Sequence, residues 1–185
     1  MPPRSRLFLT IFLGIYGAAC LAHPGAGGFL DAVDLAIHEA GHVFFAPFGE
    51  FVGFAGGTLA QLIMPTIFAG YFWHQGDRHA ATVPAWWLAQ NLWNVSVYAA
   101  DARSQALPLV GGGEHDWAYM LGRLGWLQLD MRIARLIWLT GVIIYAGSII
   151  QGVRWTRTPR SDTTPPSGYP AHSPEPRGSD PAPAA

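Results

Sequence analysis

Apolar residues in this chain gather into long runs separated by short polar or glycine- and proline-rich turns, and two of the runs carry regular polar stripes. The first run, 7–22, follows Arg4 and Arg6. It is somewhat short against the roughly 20 residues of a spanning helix. It reads either as a first span anchored by those arginines or as a cleaved signal peptide ending near Cys20 and Ala22. After a glycine-rich turn at 24–28, a second run covers 29–46, and Pro47 and Gly49 close it. Within it Asp31, Asp34, His38 and His42 follow one another at spacings of 3, 4 and 4, which places all four on one helix face. The third run, 51–73, opens with Gly53, Gly56 and Gly57, small residues that let helices approach closely. A polar loop, 74–79, leads to a fourth run, 83–107, whose Trp86 and Trp87 suit a headgroup belt. Along it Asn91, Asn94, Tyr98, Asp101 and Gln105 recur at 3, 4, 3 and 4 and form a second polar stripe, the natural partner of the first. A charged loop with three glycines, 111–116, precedes a mixed stretch, 117–129, that reads as an interfacial helix, and then a strongly apolar run, 133–153.

These runs predict an all-α, polytopic transmembrane helical bundle of about five spans, occupying residues 1–155 with its core at 29–107. Residues 156–185 hold eight prolines with serine, threonine and glycine, and are expected to be a disordered tail. Composition agrees: of 185 residues, 50% are hydrophobic and only 12% charged. The expected location is a bacterial cell membrane, with the lipid bilayer as the first partner. Net charge is −1 and the basic residues are scattered arginines, which excludes a nucleic-acid face. The single cysteine, Cys20, permits no internal disulfide. Arginines at 154, 157 and 160 would mark a cytoplasmic end, yet five spans from a cytoplasmic N-terminus place them outside, so orientation stays open.

The chemistry lies in His38-Glu39-Ala40-Gly41-His42. On a helix the two imidazoles leave one face a turn apart, and the glutamate beside them reaches a water on the metal they bind. That is the ligand geometry of a zinc hydrolase: two histidines as ligands and Glu39 as general base. Ionisable side chains this dense in a membrane segment are costly unless they pair, bind metal or line a wet cavity. A third ligand is needed. His42 lies five residues before Pro47 and Asp101 seven before Pro108, so in parallel helices ending at one face they differ in depth by about 3 Å. Asp101 is therefore the leading third ligand, with a histidine-orienting role as its alternative. Asp116 and His115, on the glycine-rich loop, are the other candidates for that position.

With His-Glu-x-x-His on one apolar helix, a glycine-rich next span and an Asn-to-Asp stripe on the span after it, residues 29–107 resemble the site-2-protease family of intramembrane zinc metalloproteases. The resemblance implies zinc on His38 and His42, Glu39 as general base, and cleavage of substrate helices within the bilayer. It maps the family's Asn-Pro…Asp-Gly motif loosely onto Asn94 and Asp101. Here Asp101 is followed by Ala102-Arg103, no proline follows the asparagine, and no soluble substrate-binding domain is present.

Two functions of different class follow. The first is an intramembrane zinc metallopeptidase acting on a membrane protein or peptide, with Asn94 stabilising the oxyanion. The alternative is a non-catalytic membrane protein that binds or transports a metal ion along the same polar stripes.

Overall fold

A computed structural model describes residues 1–24, 28–109 and 113–156, and among these all regular structure is helical. Six helices follow one another: α1 (Pro3–Ala22), α2 (Phe29–Phe45), α3 (Glu50–His74), α4 (Arg78–Ala100), α5 (Asp116–Arg123) and α6 (Asp130–Arg154). The tail expected to be disordered lies outside the described residues, apart from Thr156.

The helix ends follow local chemistry. Asp31 opens α2 by accepting the Gly28 backbone N–H at 2.7 Å. Pro47 turns the chain into the short 3₁₀ segment Ala46–Phe48, and Gly49, at φ 109°, makes the reversal that a side chain would resist. Asp77 caps α4 by accepting from Ala80 N–H at 3.1 Å, so this helix starts earlier than its apolar run. It also ends earlier, at Ala100, because Asp101 folds the following chain back onto itself. The expected 117–129 helix is shorter than its apolar pattern: α5 stops at Arg123 and a 3₁₀ turn, Leu127–Leu129, leads into α6.

Helix α4 is the hub. It packs against α3 on one side and α6 on another, with Ala89, Trp93, Val95 and Ala99 buried along it. Trp93 lies against Gly141 of α6, with its Nε1 2.6 Å from where a Cβ would stand. Helix α2 approaches α3 very closely. A Cβ on Gly56 would meet the Gly41 carbonyl oxygen at 2.6 Å, and a Cβ on Gly41 would run into the Gly56 carbonyl. Only the absence of both side chains lets these backbones touch. Helix α1 closes the bundle against α4 and α6, where Tyr145 Oη donates to the Gly14 carbonyl and Arg6 approaches Asp77 at 3.9 Å.

Three helical segments, Pro3–Ala22, Glu50–His74 and Leu127–Arg154, are long and apolar enough to cross a membrane. Only 22%, 22% and 17% of their apolar windows are buried inside the protein, so large residues such as Phe8, Ile15, Ile67, Leu136 and Ile143 face outward. A surface that apolar is covered by lipid in a membrane-embedded chain.

Candidate metal centre

His38 and His42 both leave α2 towards α3, and each is held by its Nδ1. His42 Nδ1 lies 2.8 Å from the Gly53 carbonyl, which can only accept, so Nδ1 carries the proton. His38 Nδ1 lies 2.7 Å from Gln61 Oε1, and the direction of that bond is fixed further along the chain. Asn91 Nδ2 donates to the Trp87 carbonyl at 3.1 Å, which leaves Asn91 Oδ1 to accept from Gln61 Nε2 at 3.2 Å. Gln61 therefore presents its oxygen to His38, and His38 Nδ1 also carries the proton. A neutral imidazole protonated at Nδ1 has a bare Nε2. Both bare nitrogens point at the same place.

Asp116 meets them there. Its Oδ2 lies 2.9 Å from His38 Nε2 and 3.2 Å from His42 Nε2, and the three residues form a group whose ligand atoms lie within 4.8 Å of one another. Three lone pairs thus converge with no donor between them, an arrangement that needs a cation, either a proton or a metal ion. The two distances from Asp116 are close to the roughly 3.3 Å between neighbouring donors of a tetrahedral zinc with bonds of about 2.0 Å. Two imidazoles and one carboxylate would hold zinc and leave a fourth position open.

Asp116 is the first residue of α5, and a local lock sets its position. His115, fully buried, caps α5 by accepting Ala118 N–H on Nδ1 at 3.3 Å. Burial pushes the His115 imidazole below its ordinary pKa, which keeps the ring neutral with its proton on Nε2. That nitrogen faces Asp101 Oδ2 at 3.5 Å, and the ring lies on Tyr98 with centroids 4.1 Å apart. Tyr98 Oη also accepts the Asp116 backbone N–H at 3.4 Å.

Asp101, the leading expectation for the third ligand, is thus not in the group. Its carboxylate accepts Ser104 Oγ–H at 2.6 Å and the N–H groups of Ala106 and Leu107, each at 2.9 Å. Against burial, which alone would raise it, these bonds hold the Asp101 carboxyl below the usual aspartate range. Asp101 also touches neither histidine of the group; the histidine it approaches is His115, at 3.5 Å. Of the two alternatives, Asp116 joins the histidines, while His115 turns away to cap α5.

The centre opens into a cavity of about 840 Å³ lined by α2, α3, α4 and the loops at 107–109 and 113–116. Glu39 and Asn94 both line it. Glu39 is exposed there. Asn94 Nδ2 donates to Asp31 Oδ1 at 3.2 Å. No protein family, curated protein or solved structure matches the chain.

Sequence reasoning passed over Gln61, although Gly53, Gly57 and Gln61 recur every four residues on α3. That spacing is the signal that could have found it. A Cβ on Gly57 would overlap the His38 ring, so this face of α3 is shaped to receive the imidazole.

Proposed function

We propose that this chain is a multi-pass membrane zinc metallopeptidase that hydrolyses peptide bonds in or near the bilayer, with α1, α2, α3, α4 and α6 as its five spans and a bacterial cell membrane as its setting. The observation that carries the reading is the convergence of two Nε2 lone pairs and one carboxylate beside a glutamate that lines the same cavity. A bound zinc would supply Lewis-acid polarisation of the scissile carbonyl and of water. Glu39 takes the proton of the attacking water and returns it to the leaving amine. Asn94 has two amide hydrogens, one of them engaged by Asp31, so the other is free to meet an oxyanion. A helical substrate hides its carbonyls within its own hydrogen bonds, so a segment entering the cavity must be unwound there.

The test is metal content and cleavage together. Purified wild type should hold one zinc per chain and cleave a synthetic transmembrane peptide in a chelator-sensitive manner, and His38→Ala should lose both. A zinc-loaded protein that cleaves no membrane peptide would favour metal binding or transport. A metal-free protein would show that a proton occupies the centre.

A further inference from the structure

Asn94 and Tyr98 stand one turn apart on α4, so both side chains leave the same helix face, and both line the main cavity. They meet different neighbours there. Asn94 bonds to Asp31, outside the ligand group, while Tyr98 meets two of the three members of that group. Its ring stands edge-on to the His38 imidazole with centroids 5.9 Å apart, and its hydroxyl lies beside Asp116. The ring also lies on the fully buried His115, centroids 4.1 Å apart, so contacts on two sides fix where the oxygen sits. A phenol oxygen can accept, and it has one proton to give. The accepting side is already used, because the Asp116 backbone N–H points at Tyr98 Oη from 3.4 Å. The proton has two places to go, the Asp116 carboxylate beside it and the cavity. A carboxylate committed to a cation is a weaker acceptor than a carbonyl oxygen that is gaining negative charge.

We infer that Tyr98 is a catalytic residue whose hydroxyl donates a hydrogen bond to the substrate carbonyl oxygen as that oxygen becomes an oxyanion. The inference rests on the metallopeptidase reading. Tyr98 keeps its proton throughout. Water adds its oxygen to the acyl carbon, Glu39 takes the proton released and returns it to the amine, and the carbon–nitrogen bond breaks. The bond from Tyr98 strengthens while the tetrahedral oxygen carries its charge and relaxes when the carbonyl re-forms. An interaction made mainly in the transition state raises kcat rather than tightening substrate binding.

The test separates giving a proton from accepting one. In zinc-loaded protein in lipid nanodiscs, Tyr98→Phe should lower kcat for a transmembrane peptide by about 10²-fold, the usual cost of one oxyanion donor, with KM unchanged. Zinc content should stay at one per chain, since the substitution removes only a long bond from the Asp116 N–H. Binding gives a readout apart from turnover. A phosphinic peptide carries a tetrahedral oxyanion in place of the scissile amide, and its affinity should fall by the same factor as kcat/KM. A reduced-amide peptide, with CH₂–NH at that bond, has no carbonyl oxygen and should bind wild type and Tyr98→Phe alike. Tyr98→4-aminophenylalanine keeps the shape of tyrosine and an N–H to give, but its nitrogen is a poor acceptor. It should recover about tenfold or more of the cleavage lost in Tyr98→Phe. Loss of zinc in step with cleavage, not restored by the amino variant, would make Tyr98 a support for Asp116 and overturn the assignment. Wild-type cleavage by Tyr98→Phe would overturn it as well. A zinc-loaded wild type that neither cleaves the peptide nor binds the phosphinic analogue would sink the peptidase reading itself, and this role with it.

Discussion

Gly57 of α3 lies so close against the His38 imidazole that a Cβ there would share the ring's space. The glycine is therefore part of the candidate metal centre although it offers no ligand atom. Gly57→Ala should push His38 away from Asp116 and lower zinc affinity by about 10–100-fold, the range typical of lost orienting contacts. Gly70→Ala, where a Cβ meets nothing within 4 Å, should leave zinc unchanged. Equilibrium dialysis against a zinc chelator checks both.

The two aspartates should separate. Asp116→Asn replaces the one carboxylate of the group and should abolish stoichiometric zinc, because a neutral amide is a poor ligand for it. Asp101→Asn leaves the ligand group intact, disturbing the turn at Ser104–Leu107 and the approach to His115, and should keep one zinc per chain, with affinity reduced by about tenfold. Equal loss of zinc in both variants would show that Asp101 binds the ion itself.

Gln61 fixes the His38 tautomer. Gln61→Leu should weaken zinc by about 10–100-fold, whereas Gln61→Glu, which keeps an acceptor opposite Nδ1, should restore most of it. Metal titration of the two variants measures the difference.

Glu39 carries the proton in the proposed reaction and lies outside the ligand group. Glu39→Gln should retain zinc and lose about 10²-fold or more in cleavage of a transmembrane peptide. Unchanged cleavage would remove the peptidase mechanism and leave metal binding or transport.

The Asp101 lock is pH-dependent in a direction its hydrogen bonds determine. Its folded pKa is depressed, so its stabilising effect is fully present above the ordinary value of 3.8 and is lost as pH falls below it through the folded value. Acid unfolding followed by tryptophan fluorescence should therefore show a wild-type step below about pH 4. Asp101→Asn should flatten that step.

What the sequence determined by itself was local. Long apolar runs specify helices wherever lipid or other helices cover them, and the i, i+4 spacing of His38 and His42 put both rings on one face whatever their surroundings. Glycines at 53, 56 and 57 announced a close approach without naming the partner. The third member of the candidate ligand group was beyond that reach. A polar stripe predicts a common face only while the helix lasts, and the stripe from Asn91 to Gln105 outran α4, which stops at Ala100. Asp101 ends it by gathering the N–H groups of Ala106 and Leu107, and Gln105 then sits at φ 46°, outside any helix. Only tertiary packing brings Asp116 from the far side of a glycine-rich loop to two histidines on α2, and only the chain from Trp87 through Asn91 and Gln61 decides which nitrogen of His38 is bare. Those relationships join α2, α3, α4 and α5 across separate stretches of sequence, and their spacing is set by how the helices pack rather than by any repeat along the chain.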